Sequence, residues 1–258
     1  KMKRLAVIAI LSIICSIAGA QTAHWITADD PTCNERNVWI EFRKDFDLKK
    51  KVKKAETRIA ADSKYWLYVN GQCVVFEGGL KRGPNPNDTY YDMVDLAPYL
   101  RKGKNEVKFL LWYFGKSGFS HKSSGQSGMI FDSPSIGLVS DSSWLSQRLD
   151  AYRTAGKPVV NYRLSEANIL YDARLEGQDG YKPSVELGEW GCKPWNNLIL
   201  RPIPQWKDYG VKPLEYTVSN DGEGNTILTV RLPYNAQMTP VIDLDAAEEG
   251  VLVKMETD

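Results

Sequence analysis

Residues 65–76 constrain this chain more than any other stretch. Tyr65-Trp66-Leu67-Tyr68-Val69 leads into Asn70-Gly71, and Gln72-Cys73-Val74-Val75-Phe76 follows. Aromatic and β-branched side chains suit a pleated, half-buried surface, and both Asn and Gly tolerate positive φ. Two such runs joined by Asn-Gly therefore predict a tight type I′ hairpin.

The same pattern recurs along the chain. Val38 to Phe46 alternates, with Val38, Ile40 and Phe42 on one face and Trp39, Glu41 and Arg43 on the other. Ala55, Thr57, Ile59 and Ala61 alternate with Glu56 and Arg58. Glu106 to Phe114 is the strongest strand. It turns apolar on both faces from Phe109 onward, which predicts a central position in a sandwich. Met129–Phe131 and Ile136–Val139 read as short strands, Asp95–Leu100 as one helical turn, and 78–88 and 115–128 as loops. Clear helical periodicity is almost absent. The expected class is all-β: a galactose-binding-like jelly-roll β-sandwich over 21–213, followed by the start of a second β-sandwich domain over 214–258. The second opens with a hairpin around Asn220-Asp221-Gly222-Glu223-Gly224-Asn225. About 45 residues are too few to bury a stable core of their own, so the chain is expected to continue beyond Asp258.

The first twenty residues read as an address. Lys3-Arg4, the apolar run Leu5–Ile17 and Ala18-Gly19-Ala20 match the three regions of a secretory signal peptide, with cleavage before Gln21. The run is short for a membrane span, and Ile14 before Cys15 disfavours a lipoprotein. A secreted or periplasmic location follows. Cleavage leaves Cys33, Cys73 and Cys192. They allow at most one internal disulfide and fit no zinc spacing, so at least one buried free thiol is expected.

Net charge is +1, which supplies no long-range field for nucleic acid. The basic run 49–54 reads as a solvated turn. The two histidines, His24 and His121, and the lack of a G-x-S-x-G elbow or phosphate loop argue against a serine hydrolase, a zinc enzyme or a nucleotide enzyme; no cofactor or metal is expected. Acid pairs occur at Asp172/Glu176, Asp243/Asp245 and Glu248-Glu249. A glycosidase needs two carboxylates placed across a pocket, which sequence spacing does not establish, so solvated or Arg-paired roles are expected. The loop from Gly115 to Gly125 combines hydroxyls, donors and an aromatic on a flexible backbone, and that suits a hydroxyl-rich ligand. The 8 Trp and 13 Tyr fit either a packed core or sugar stacking.

Several motifs stand in a telling order: Phe42-Arg43-Lys44-Asp45-Phe46, the unit 65–71, Tyr90-Tyr91-Asp92 with Asp95-Leu96, and Leu100-Arg101-Lys102-Gly103-Lys104-Asn105. Tyr171-Asp172-Ala173-Arg174-Leu175-Glu176 and Leu200-Arg201-Pro202-Ile203-Pro204 follow. The series resembles the N-terminal region of bacterial α-L-rhamnosidases over roughly residues 36–258. The resemblance implies a parent enzyme that hydrolyses terminal α-L-rhamnosides with inversion, its acid and base on an (α/α)₆ toroid further along. No residue here matches those positions, so this chain alone is expected to be inactive. Its expected partners are a glycan or the missing catalytic domain, with no nucleic acid and no membrane span. Trp112, Phe119 and His121 are the candidates for carbohydrate contact. The alternatives are a free-standing carbohydrate-binding module and a cell-surface interaction domain.

Overall fold

The computed structural model describes residues 22–80, 87–119, 121–155, 164–207, 209–232, 234, 241, 250 and 252–254. The signal segment 1–20, the acid pairs Asp243/Asp245 and Glu248-Glu249, and parts of the loops 78–88 and 115–128 lie outside the described residues. In chain order the strands are β1 (His24–Thr27), β2 (Val38–Leu48), β3 (Glu56–Asp62), β4 (Lys64–Val69), β5 (Gln72–Gly79), β6 (Thr89–Asp95), β7 (Gly103–Tyr113), β8 (Gly128–Ser133) and β9 (Leu138–Val139). They continue with β10 (Leu145–Arg148), β11 (Tyr152–Ala155), β12 (Asn168–Tyr171), β13 (Lys182–Pro183), β14 (Val185–Glu189), β15 (Leu198–Leu200), β16 (Tyr216–Asn220) and β17 (Thr226–Val230). The expected turn near Leu96 is a 3-10 turn at Ala97–Tyr99, and the expected strand 136–139 is shortened to β9 by a 3-10 turn at Pro134–Ile136.

The chain divides into one unit ending at Trp206 and another beginning at Lys207. The first is an all-β jelly-roll sandwich. One sheet runs β14-β1-β8-β3-β6-β15 with β9 beside β8; the other runs β13-β10-β2-β7-β4-β5. The faces between them hold the main core, including Ile40, Phe42, Ile59, Tyr65, Leu67, Val107, Phe109, Leu111, Phe131 and Trp144. Each large side chain fully withdrawn from water contributes about 1.5–3 kcal/mol. β7 lies between β2 and β4, and it pairs with β2 along its whole length, from Val38↔Tyr113 to Leu48↔Gly103.

Alternation sets which face each residue serves. In β4, Tyr65, Leu67 and Val69 are buried while Trp66 and Tyr68 are half-exposed. Trp39, on the outward side of β2, is also buried, because a second aromatic layer with Trp112 and Phe114 covers that face. The outer face of the other sheet is covered too: Trp25 stacks on Trp195 at 3.9 Å between ring centres, over Ala60 and Ile130. Ala60 is therefore buried on the side that alternation alone would leave wet. The basic run between β2 and β3 is exposed at Lys49, Lys50, Lys51, Lys53 and Lys54. Cys33 is buried, Cys73 exposed and Cys192 intermediate, none of them in a disulfide; burial pushes the Cys33 thiol up to about 12.

The Asn70-Gly71 turn has positive φ at both residues, 51° and 79°, as the hairpin requires. It is also tied to the turn before β7. Asn70 Nδ2 donates to Asn105 Oδ1 at 2.9 Å and to Tyr99 O at 2.8 Å, and the Glu106 amide donates to Asn70 Oδ1 at 3.1 Å. Asn105 is buried; its Oδ1 also accepts from the Arg101 amide, and its Nδ2 donates to Arg101 O and Gly103 O. Two turn asparagines thus meet every demand of one another's amide and of the backbone around them. In the second unit, β16 pairs with β17 from Tyr216↔Val230 to Asn220↔Thr226, and Asp221 accepts from the Glu223 and Asn225 amides in the connecting turn.

Replacing Asn105 with Ala removes a buried amide that holds the part-buried backbone groups of Arg101 and Gly103 and the side chain of Asn70. The expected cost is ~3 kcal/mol in urea denaturation, with Asn70→Ala adding less on that background than alone, since the two share bonds.

Candidate functional site

The loop after β7 is where the sequence placed its candidates, and its shape is set by three buried polar residues. Asp62 ends β3, Ser63 follows it, and His121 comes from the loop; their side chains are withdrawn from solvent. Ser63 Oγ donates to Asp62 Oδ1 at 2.8 Å and lies 3.2 Å from His121 Nε2; Asp62 Oδ1 is 3.4 Å from the same Nε2. The Ser124 amide donates to Asp62 Oδ2 at 2.9 Å, and the Phe114 amide to Ser63 Oγ at 3.1 Å. Ser, His and Asp together invite comparison with a catalytic triad. A triad needs serine on one imidazole nitrogen and aspartate on the other. Here both approach Nε2, and Nδ1 has no hydrogen-bond partner among the described residues. The trio pins the two ends of the loop to the sheet.

The three candidates occupy different environments. Trp112 is 6% exposed, stacked on Trp39 at 4.8 Å and edge-on to Phe114 at 4.9 Å. His121 is 1% exposed and edge-on to the same Phe114 at 5.3 Å. Phe119 is 61% exposed. Phe114 thus joins Trp112 to His121 in a floor beneath the loop, and Phe119 stands out at its surface. Lys64, which sequence reasoning passed over, lies over this floor, 5.7 Å from the Trp112 ring and 6.0 Å from the Phe114 ring. It sits between two carboxylates, Glu77 at 3.5 Å and Glu166 at 3.6 Å. Its side chain is 14% exposed, so both acids are needed to stabilise a largely desolvated ammonium.

A second charged centre holds the exit from the sandwich. Asp92 on β6 is buried; its Oδ2 accepts from Tyr65 Oη at 2.8 Å and from the Gly79 amide at 3.1 Å, and its Oδ1 lies 2.5 Å from Arg201 Nε. Burial, with the Asp92 charge alongside, pushes the Tyr65 phenol well above its ordinary value. Gly79 has φ of +88°, and a Cβ there would come 2.6 Å from the Ser63 carbonyl, so glycine alone admits this approach. β15 runs parallel to β6, and the Arg201 amide donates to Tyr91 O at 2.9 Å just beyond it. The Tyr90-Tyr91-Asp92 and Leu200-Arg201 motifs therefore meet in space. Nothing in the sequence tied them, because they lie 109 residues apart.

The Tyr171–Glu176 motif is local. Asp172 caps the 3-10 turn Ala173–Leu175, accepting from the Arg174 amide at 3.2 Å and pairing with its guanidinium at 2.8 and 2.7 Å. Tyr171 Oη donates to Glu176 Oε1. Both acids are thus paired structurally, as expected for Asp172/Glu176.

No protein-family model matches the sequence, and no curated protein does. Solved structures do match. A GH78 family rhamnosidase of Bacillus sp. GL1 is 28% identical over 72% of this chain and 20% of its own, with a TM-score of 0.57. Several of the structures it resembles are α-L-rhamnosidases. An α-L-rhamnosidase of Aspergillus terreus shares the fold at 21% identity (80% of this chain, 25% of its own, TM-score 0.54). One from Dictyoglumus thermophilum does so at 20% identity (78% and 24%, TM-score 0.51). The chain spans a fifth to a quarter of the length of these α-L-rhamnosidases. That minor share supports a non-catalytic part of such an enzyme. Among the described residues, no helix is long and apolar enough to cross a membrane.

Removing one partner of the buried Asp92–Arg201 pair leaves an uncompensated charge. Asp92→Asn is expected to cost about 3–5 kcal/mol in chemical denaturation, far more than removal of any exposed pair. Arg174 holds the Asp172 carboxyl at about 2, first through its side-chain hydrogen bond. Because the folded value is depressed, this stabilisation is fully present above the ordinary 3.8 and is lost as pH falls through about 2. An NMR titration is expected to find Asp172 at the low value, rising toward 3.8 in Arg174→Ala.

Proposed function

We propose that this chain is the non-catalytic N-terminal part of an exported α-L-rhamnosidase-like glycoside hydrolase. Its acid and base lie outside these 258 residues, and the whole enzyme hydrolyses terminal α-L-rhamnosides with inversion. The observation that carries this is the likeness to the GH78 family rhamnosidase, extensive for this chain and confined to a fifth of the other. The motif order supports it, since the exit motif around Arg201 is built into the sandwich through Asp92. Residues 1–20 direct export, and 214–258, after the jelly roll, begins a second β domain. A scaffold role suits the interior: its charged centres are consumed by structural pairs, as Asp92 with Arg201 and Lys64 with Glu77 and Glu166.

A free-standing carbohydrate-binding module is the second reading, favoured by the exposed Phe119 on a loop pinned from beneath by His121. In that reading Phe119 meets the sugar, while Trp112 and His121 hold the loop that presents it.

The deciding experiment compares this chain with the product of the gene's complete reading frame, using 4-nitrophenyl α-L-rhamnoside and following the released anomer by NMR. No turnover by the chain is expected, and inverting hydrolysis by the complete product. Turnover by the 258 residues alone, or a reading frame that ends at Asp258, overturns the enzyme reading and leaves the binding module.

A further inference from the structure

A cleft of about 350 Å³ opens where the end of β1 approaches β10 and β13. Asp29, Asp30, Arg148, Asp150, Gln178 and Lys182 supply its polar lining. Some of these groups are spoken for. Asp30 accepts from the Thr32 amide and hydroxyl at 2.8 and 2.5 Å, and Arg148 lies near Thr32, Glu35 and Asp150. Those Thr32 bonds, with Arg148 and Lys182 adding, hold the Asp30 carboxyl below its usual range, so it stays an acceptor at neutral pH. By contrast, Asp29, Gln178 and Lys182 make no side-chain hydrogen bond or ion pair among the described residues. The cleft therefore presents an unspent carboxylate, an unspent amide and an unspent ammonium on a frame fixed by Asp30, Thr32 and Arg148.

Asp30, Arg148 and Asp150 largely offset one another, and the remaining Asp29 and Lys182 carry opposite charges, so a ligand of one sign gains one partner and meets one like charge. A purely apolar ligand would desolvate them all for nothing in return. A neutral ring bearing several hydroxyls suits every group, because each hydroxyl both donates to carboxylates and accepts from ammonium or amide hydrogens. The space accommodates one such ring with its bound water. We infer that this cleft is a binding subsite for a neutral monosaccharide unit of a glycan, with Asp29, Gln178 and Lys182 as its contacts. The inference goes beyond the enzyme reading, since a free-standing module would use the cleft equally, so either can fail without the other.

The test is an amide NMR titration of this chain with methyl α-L-rhamnoside, D-galactose and D-glucose, with D-glucuronate and D-glucosamine as charged controls. Saturable shifts are expected at residues 28–30, 146–150 and 178–182 with at least one neutral sugar, and weaker ones with the charged controls. Asp29→Ala and Lys182→Ala are each expected to weaken binding about tenfold, the loss of one hydrogen bond to a charged group. Both side chains are exposed and make no hydrogen bond or ion pair among the described residues, so the thermal midpoint is expected to move little. Three results each overturn the inference: no saturable shift with any neutral sugar, equal or tighter binding of a charged control, or wild-type affinity in both variants.

Discussion

The constraint on which the structure depends is that β7 is apolar on both faces. A strand with Val107, Phe109, Leu111 and Tyr113 on one side and Leu110 and Trp112 on the other has no side to give to water. It must therefore sit inside its sheet, and the sheet must be covered twice. One cover is the facing sheet. The other is the aromatic layer in which Tyr152, at the base of the β11–β12 hairpin, stacks on Trp39 at 4.3 Å. The opposite sheet answers in kind through the Trp25–Trp195 stack. The result is a sandwich with four faces dry in part rather than two.

Such coverage brings chain segments from far along the sequence over the strands, and these segments carry polar groups that must be satisfied. Three small polar centres do so: Asp62-Ser63-His121 beneath the loop, Lys64 with Glu77 and Glu166 over the aromatic floor, and Asp92-Arg201-Tyr65 at the exit. Each joins a strand to a segment that lies across it. Buried polar groups of this kind are costly unless paired, so they specify where each segment docks more sharply than apolar contact does. That is the behaviour expected of a module meant to hold a defined position.

The same logic separates two places at one end of the sandwich. Around Phe114 and Asp62 the polar groups face inward and engage each other. In the cleft beside β10 and β13 several face outward and make no hydrogen bond or ion pair among the described residues. Chemistry toward a ligand is concentrated where polar groups remain unspent, so burial and pairing mark places that hold shape and exposure marks places that recognise.

Local rules made much of this legible in the sequence. The Asn70-Gly71 hairpin, the alternation of β2, β3 and β4, the central place of β7 and the all-β class all follow from turn stereochemistry and period-two burial, which act between neighbours in the chain. Other features depended on partners brought together only by folding. Trp112 and His121 look in the sequence like an aromatic and a polar group near an exposed loop; the sheet places them in a floor and an anchor, because Trp39 and Asp62 arrive from β2 and β3. Asp92 and Arg201 each stood in a recognisable motif, yet their pairing needed β15 to lie alongside β6. The cleft had no sequence signal, since its walls come from the end of β1, from β10 and from the loop before β13. Backbone preference is a property of neighbouring residues and can be read directly, whereas the burial and pairing of a polar group depend on which distant segments surround it, and only the tertiary structure decides that.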